Sequence, residues 1–256
     1  MSFQEAIKQK KGREKIVMLT AYDFQMARIL DESGIDLILV GDSSGMVVQG
    51  YSDTKSVTMT DMLFHVRAVS RAVKATPIIG DMPINSCNSS EECLRNAEQF
   101  LKAGAHGVKV EGLKADAVRA LVRAGTPVMG HVGMLPQMVE AYRVKGKNPE
   151  EAEQIMREAV ELDRLGVFSI VLECIPESLG KRVTESVRVP TIGIGAGRHC
   201  DGQVLVINDL LGLSESFKPK YVKAYANLNR TVKDAVATFI EEVSTGKYPD
   251  EDHTYH

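Results

Sequence analysis

The stretch Leu37-Ile38-Leu39-Val40-Gly41-Asp42-Ser43 is a short apolar run that ends at a charged side chain. The same design recurs where Pro77-Ile78-Ile79-Gly80 leads to Asp81 and where Pro127-Val128-Met129-Gly130 leads to His131. Short continuous apolar runs are typical of parallel strands that are buried on both faces. Because ligands of such sheets bind at the carboxyl ends of the strands, we expect these side chains to converge on one site. The pattern predicts an enzyme.

Candidate strands alternate with helical patterns along the chain. Helices are predicted over Met59–Val73 and Ser89–Ala103, and another begins at Asn148-Pro149, where proline suits the first turn. This alternation favours an α/β fold, a (β/α)₈ barrel of TIM type with extra C-terminal helices, over an open doubly wound sheet. Residues 1–256 are expected to form one domain. The predicted strands are Ile16–Thr20, Leu37–Gly41, Pro77–Asp81, Gly107–Glu111, Pro127–Gly130, Ser169–Glu173, Thr191–Ile194 and Val204–Ile207.

The composition limits the classes of partner. The 31 Lys and Arg residues nearly balance the 34 Asp and Glu residues, and the basic residues are dispersed. This distribution argues against nucleic acid and against an anionic membrane as partners. A polar N-terminus and the lack of any apolar stretch near the roughly 20 residues of a membrane span argue against a signal peptide and a membrane anchor. The scattered cysteines, which are Cys87, Cys93, Cys174 and Cys200, are expected to be thiols of a cytoplasmic protein.

Carboxylates stand at the ends of three predicted strands, as Asp42, Asp81 and Glu111. Mg²⁺ and similar hard cations prefer oxygen ligands, and a few carboxylates together with waters and substrate oxygens make a typical site. A single acid after a strand is more often a helix cap. Three acids at equivalent positions favour a divalent metal site over three separate caps.

Two charges lie two residues apart on one predicted strand, as Lys109 and Glu111. Side chains at this spacing point to the same face of a strand. Either face of a barrel strand is covered, so both charges must be paired, bind a metal or bind substrate. A purely structural ion pair is the alternative reading.

A histidine and a further acid complete the set of candidates. His131 lies between Gly130 and Gly133, a setting in which a ligand can approach closely, and imidazole can donate to a substrate oxygen or move a proton. Glu173 ends an Ile-Val-Leu run and is a candidate general base, because desolvation raises the pKa of a carboxyl group. The alternatives are a core histidine and a capping or salt-bridged acid.

In combination these segments resemble one enzyme family, the ketopantoate hydroxymethyltransferases (3-methyl-2-oxobutanoate hydroxymethyltransferases). The resemblance runs in order along nearly the whole chain and ends in the tail with Tyr248-Pro249 and His253. The matching stretches are Leu19–Asp23, Val40–Ser43, Gly80–Pro83, Val108–Gly112, Gly130–Gly133, Leu172–Pro176, Ile192–Gly197 and Asp201–Val206.

The resemblance implies a (β/α)₈ barrel of the phosphoenolpyruvate/pyruvate superfamily, assembled as a decamer. It implies transfer of a hydroxymethyl group from 5,10-methylenetetrahydrofolate to 2-oxoisovalerate through an enolate stabilised by Mg²⁺ or another divalent metal, as a step of pantothenate biosynthesis. Glu173 matches the proton acceptor of the family, and His131 matches an active-site histidine. The metal ligands implied are Asp42, Asp81 and Glu111, and the 2-oxo acid contacts implied are Asp42, Ser43, Asp81 and Lys109.

Three other functions remain open on the sequence. A paralogous aldol-type enzyme would use the same metal–enolate chemistry on another 2-oxo acid. A carbon–carbon lyase of the superfamily would bring a Lys-Lys-Cys-Gly-His loop, which the sequence lacks. A catalytically silent barrel would have no reason to retain these charges. The chain departs from the family pattern at Ser52–Val57, Leu135-Pro136, Val139–Tyr142 and Asn208-Asp209, and these positions bear on substrate identity.

Overall fold

The computed structural model describes residues 1–138, 143–214 and 219–256. These residues form two compact units, Met1–Val206 and Ile207–His256. Within the first unit, eight parallel strands close into a barrel in chain order, which confirms the predicted TIM-type fold. The prediction of a single domain stays a prediction. The strands are β1 (Ile16–Thr20), β2 (Leu37–Val40), β3 (Ile78–Asp81), β4 (Gly107–Glu111), β5 (Val128–Gly133), β6 (Ser169–Glu173), β7 (Thr191–Ile194) and β8 (Gly202–Leu205).

Helices follow the strands around the barrel. Several of them begin at capping residues that can be recognised in the sequence. For example, the Asn148 side chain accepts a hydrogen bond from the Glu151 backbone N–H at the start of α7. The helices of the first unit are α1 (Phe3–Gln9), α2 (Phe24–Glu32), α3 (Ser44–Val47), α4 (Met59–Ser70), α5 (Ser90–Lys102), α6 (Ala115–Arg123), α7 (Pro149–Leu165) and α8 (Glu177–Ser186).

Two strands differ from the prediction by more than one residue at an end. β5 continues to Gly133, so His131 lies within the strand rather than after it. β8 begins at Gly202 and ends at Leu205, two residues earlier than predicted, because Gly202 pairs with Ile16 and the polar Gln203 is part of the strand. Ile207 instead begins a helix. A polar residue inside a short strand interrupts the apolar run on which the prediction depended.

The interior of the barrel is apolar toward the amino ends of its strands. Met18, Leu39, Ile79 and Met129 belong to one buried cluster there. Helix α1 adds to this cluster, since the ring of Phe3 packs edge-on against Phe168 at 5.4 Å between ring centroids. The next inward positions toward the carboxyl ends are polar, so the barrel has an apolar layer below a charged layer.

Glycines on two strands let the outer helices approach closely. A Cβ at Gly80 would lie 2.3 Å from a ring carbon of Phe100 on α5, and one at Gly130 would lie 2.9 Å from Leu162 on α7. Each glycine faces a helix, so the next residue along the strand faces the barrel interior. Asp81 and His131 are placed in this way.

The second unit contains α9 (Ile207–Leu210), α10 (Leu228–Ser244) and a 3₁₀ turn at Glu251–His253, which confirms the extra C-terminal helices. The departure at Asn208-Asp209 lies in α9, and the one at Val139–Tyr142 lies outside the described residues. None of the helices described is both long and apolar enough to cross a membrane.

One prediction about the cysteines is wrong. Cys87, in the segment that joins β3 to α5, forms a disulfide with Cys93 in the first turn of α5, with 4.2 Å between their Cα atoms. Cys174 and Cys200 carry thiol groups. The sequence shows only that the first two cysteines are six residues apart, whereas the turn between them brings the side chains together.

Candidate active site

A buried ion pair joins β3 to β4 at the carboxyl end of the barrel. Asp81 and Lys109 are register partners on neighbouring strands, and the Lys109 Nζ contacts Asp81 Oδ1 and Oδ2 at 2.5 and 2.6 Å. The Lys109 side chain is only 6% exposed, and the Asp81 side chain only 2%. Such burial is tolerated only when the charges are paired. Lys109 contacts Asp81 and Glu111 contacts His131 at this end of the barrel, which agrees with the prediction that the two side chains point to one face.

A second group links β4, β5 and β6. Glu111 and His131 are register partners, and Glu173 lies beside Gly133. The His131 Nε2 lies 3.2 Å from Glu173 Oε2, and its Nδ1 lies 3.8 Å from Glu111 Oε2. Among the described residues, neither ring nitrogen makes an aligned hydrogen bond. The imidazole therefore stands between two carboxyl groups and is held to each only loosely.

Asp42 and Ser43 follow β2. The Asp42 amide points toward Asp81 Oδ2 at 3.5 Å, so the two acids are neighbours. The Ser43 hydroxyl is 2.9 Å from the Tyr22 hydroxyl, and the Tyr22 carbonyl is 2.8 Å from the His65 Nδ1. Sequence reasoning missed Tyr22 and His65 as supports of Ser43, because neither stands at the end of an apolar run.

Gln137, on the segment after β5, is a further residue that sequence reasoning missed. Its side-chain Nε2 donates to Asp42 Oδ2 at 2.9 Å and to the Met82 carbonyl at 3.0 Å. Its backbone N–H donates to Glu111 Oε1 at 2.9 Å. The structure thus brings all seven predicted site residues together at the ends of β2 to β6. Gln137 is an eighth residue of this group, which the sequence did not predict.

Burial perturbs the acids of the site. It raises the pKa of Glu173 to about 8 and the pKa of Glu111 to about 9, although Lys109 lowers both. Burial, followed by the neighbouring Asp81, raises the pKa of Asp42 to about 7. Removal from water disfavours the ionised form of each of these three carboxyl groups. The single positive charge of Lys109 is not enough to offset this effect for all three. The site therefore has more carboxyl groups than positive charges to balance them.

The basic groups of the site shift in opposite directions. Burial and then Lys109 lower the pKa of His131 to about 3, so the imidazole is neutral at ordinary pH. Burial alone would also lower the pKa of Lys109, yet the carboxyl groups of Asp81, Asp42 and Glu111 together raise it well above its usual range. Lys109 is the fixed positive charge of the site.

The donor atoms fit a divalent cation that has few protein ligands. No three His, Cys, Asp or Glu side chains of the described ranges are grouped closely enough to hold a metal ion between them. However, Glu111 Oε2 is buried and lacks a hydrogen-bond partner among the described residues, and carboxylates are the ligands that Mg²⁺ prefers. Mg²⁺ is usually bound by one or two carboxylates, with water and substrate oxygens completing its octahedron.

Fold and site together define a (β/α)₈-barrel enzyme with a buried cluster of acid, lysine and histidine side chains at the carboxyl end of its strands. A family model described as ketopantoate hydroxymethyltransferase matches residues 1–251. The chain belongs to the ketopantoate hydroxymethyltransferase family and is a hydroxymethyltransferase, as the resemblance implied.

Curated relatives cover almost the whole chain. The 3-methyl-2-oxobutanoate hydroxymethyltransferase of Syntrophus aciditrophicus (strain SB) is 51% identical over 253 residues, which are 96% of this chain and 93% of the relative. The protein of the same description from Ignicoccus hospitalis (strain KIN4/I / DSM 18386 / JCM 14125) is 51% identical over 257 residues, with coverages of 98% and 97%. These relatives support the hydroxymethyltransferase function over the lyase alternative.

Solved structures of more distant proteins share the fold. A phosphonopyruvate hydrolase in complex with oxalate and Mg²⁺ superposes with a TM-score of 0.64 at 14% identity, covering 99% of this chain and 93% of that one. A 2,3-dimethylmalate lyase, described as a member of the PEP mutase/isocitrate lyase superfamily, gives 0.63 at 16% identity, with coverages of 99% and 92%. At this identity the likeness is one of fold.

Proposed function

We propose that the protein transfers a hydroxymethyl group from 5,10-methylenetetrahydrofolate to 3-methyl-2-oxobutanoate (2-oxoisovalerate) and forms ketopantoate for pantothenate biosynthesis. The observation that carries the proposal is the buried group of side chains formed by the pair Asp81–Lys109 and the trio Glu111–His131–Glu173 in a chain of this family. Binding of the 2-oxo acid, removal of its proton and binding of the metal can each be given to residues of this group or to their neighbours.

Lys109 and Ser43 bind the 2-oxo acid in this proposal. Lys109 is permanently charged, and its ammonium group donates two hydrogen bonds to Asp81. Its third N–H can donate to the substrate carboxylate. Ser43 can accept from the Tyr22 hydroxyl and donate its own proton to a substrate oxygen, since a hydroxyl group does both. These donors are fixed before the substrate arrives, so little reorganisation is needed as charge develops on the enolate oxygen.

Glu173 removes the proton at C3 in this proposal. Its raised pKa makes it a stronger base than an ordinary carboxylate, and it is still partly ionised near neutral pH. The neutral His131 lies beside the carboxyl group at 3.2 Å and adds no positive charge that would weaken the base. Water hydrolyses the methylene bridge of the folate, which breaks both of its C–N bonds, releases tetrahydrofolate and leaves the one-carbon unit as formaldehyde. The enolate carbon attacks this carbon, and the alkoxide that forms takes back the proton held by Glu173 to give ketopantoate.

Asp42, Asp81 and Glu111 are the residues that would hold Mg²⁺ or another divalent cation. When bound, such a cation acts as a Lewis acid that polarises the 2-oxo group. Burial, and after it the neighbouring acids, raise the pKa values of Asp42 and Glu111. A cation would therefore stabilise the ionised forms of these side chains.

A homo-oligomer, by resemblance a decamer, is part of the proposal. No residue of α10 is buried. Nevertheless, an apolar stripe follows its helical repeat, and each member is about half exposed. The stripe consists of Val232, Val236, Phe239, Ile240 and Val243. Contact with another copy of the chain would remove these side chains from water.

The cytoplasm is the proposed location. Thiols at Cys174 and Cys200 suit a reducing compartment, whereas the Cys87–Cys93 bond is unusual there. Fluorescence microscopy of a tagged chain in the source cell tests this location, and a signal at the cell envelope would contradict it.

Product analysis tests the function. The purified protein is incubated with 2-oxoisovalerate, 5,10-methylenetetrahydrofolate and Mg²⁺, and the products are identified by mass spectrometry. We expect ketopantoate, its loss with EDTA, and its return when Mg²⁺ is added in excess. Failure to form ketopantoate with any divalent metal would contradict the proposal, and a product from a different 2-oxo acid alone would identify the paralogous enzyme.

A further inference from the structure

Gln137 connects three strand ends of the site. Its side-chain amide has two N–H donors, and these reach Asp42 Oδ2 after β2 and the Met82 carbonyl after β3. Its backbone N–H reaches Glu111 Oε1 at the end of β4. The residue is 5% exposed, so water competes little for these bonds. One loop residue therefore fixes two of the three proposed metal ligands.

The amide of Gln137 is suited to this task because it carries no charge. Lys109, the cation of the site, is already bonded to both carboxylate oxygens of Asp81. In the ionised forms that would bind a cation, Asp42 and Glu111 repel each other, and the Gln137 amide is a neutral donor between them. An amide orients a carboxylate by hydrogen bonds and leaves its negative charge available, whereas an arginine or lysine would neutralise it.

The bond to Glu111 also determines which of its oxygens is open. Glu111 Oε1 accepts from the Gln137 backbone, while Glu111 Oε2 is buried and has no hydrogen-bond partner among the described residues. A buried oxygen without a partner is costly unless a ligand occupies it. Both oxygens belong to the same carboxylate, so the hydrogen bond to Oε1 fixes its orientation and leaves Oε2 able to bind a cation.

We propose that Gln137 is a positioning residue that holds Asp42 and Glu111 in the arrangement that binds the divalent cation. The inference rests on the proposed function, since it assumes that these carboxylates bind a metal. Hydrogen-bond partners of metal ligands typically contribute roughly 10- to 100-fold to metal affinity. Gln137 should therefore control the metal affinity of the enzyme rather than its chemical step.

The variant Gln137→Leu removes both side-chain donors at nearly constant volume and keeps the backbone bond to Glu111. Gln154→Leu is the matched control, because Gln154 is exposed on α7 and its amide also donates to a carboxylate, that of Glu158. Mn²⁺ affinity is measured by water-proton relaxation on each full-length protein. We expect the Mn²⁺ dissociation constant of Gln137→Leu to rise roughly 10- to 100-fold and that of Gln154→Leu to match wild type.

A second readout separates positioning from a merely structural role. The metal dependence of C3–proton exchange of 2-oxoisovalerate should shift to higher Mg²⁺ for Gln137→Leu, while the rate at saturating Mg²⁺ stays within about threefold of wild type. Should Gln137→Leu fail to fold, Gln137→Asn retains an amide that is one methylene too short for both acceptors, and it should show the same shift.

Equal Mn²⁺ affinity of wild type and either variant, within about twofold, would overturn the positioning role alone. A wild-type protein that binds neither Mn²⁺ nor Mg²⁺, with or without 2-oxoisovalerate, would overturn both this inference and the proposed metal-dependent function. The two failures are distinguishable, because the first leaves a metal-binding wild type.

Discussion

Replacement of Glu173 by glutamine tests the proposed base. Glu173→Gln keeps the size of the side chain next to His131 and removes the oxygen that would accept the proton. A positioned general base typically contributes about 10²- to 10⁴-fold to a rate, which corresponds to about 3–5 kcal/mol of transition-state stabilisation. We expect a loss of this size in C3–proton exchange of 2-oxoisovalerate.

The raised pKa also predicts the pH dependence. Burial moves the pKa of Glu173 from 4.5 to about 8, and the group must be ionised to accept a proton. Roughly one tenth of the wild-type enzyme is then competent at pH 7, so exchange should rise about tenfold per pH unit below 8 and level off above it. An unperturbed carboxyl group would instead give a flat profile above about pH 6.

The assay is proton NMR of 2-oxoisovalerate in D₂O with Mg²⁺, read as loss of the C3 signal. Glu185→Gln on the exposed side of α8 is the matched control, and calorimetry of 2-oxoisovalerate binding shows that the site of Glu173→Gln is intact. Exchange by Glu173→Gln within about threefold of wild type, or a flat wild-type profile between pH 6 and 8, would refute the assignment of the base.

Further predictions concern the barrel and its charges. Gly80→Ala places a Cβ 2.3 Å from the Phe100 ring, and we expect urea unfolding to show a loss of about 1–3 kcal/mol; unchanged stability would contradict this packing. Lys109→Met leaves Asp81 buried without its partner, so stability should fall by about 3–5 kcal/mol and calorimetry should show no 2-oxoisovalerate binding. A stable Lys109→Met variant with normal binding would show that the ion pair is dispensable. The Cys87–Cys93 bond predicts that a thiol reagent in denaturant titrates two thiols before reduction and four afterwards, whereas four at the outset would mean that the bond is absent.

The strand ends made much of the site predictable. Apolar runs identify buried parallel strands, and the barrel brings the residues that follow them to one end. This reasoning found Asp81, Lys109, Glu111 and Glu173 from local sequence alone. It placed His131 after its strand rather than within it, because the glycines around it do not prolong an apolar run.

The remaining parts of the site depend on contacts between distant segments. Gln137 bonds to Asp42 across 95 positions of the chain, and no local pattern marks a loop glutamine as a clamp. Outside the site, the disulfide of Cys87 and Cys93 depends on the local turn before α5. Spacing reveals neither contact, since the first arises from tertiary packing and the second from the conformation of a turn.

Crystals soaked with Mn²⁺ and 2-oxoisovalerate test the central claim most directly, because Mn²⁺ gives an anomalous signal that locates it. We predict a peak at about 2 Å from a carboxylate oxygen of Asp42, Asp81 or Glu111, close to the Mg²⁺–oxygen distance, with the 2-oxo acid on the same ion and its C3 carbon facing Glu173. A metal or a 2-oxo acid bound elsewhere, with this group of side chains vacant, would contradict the account.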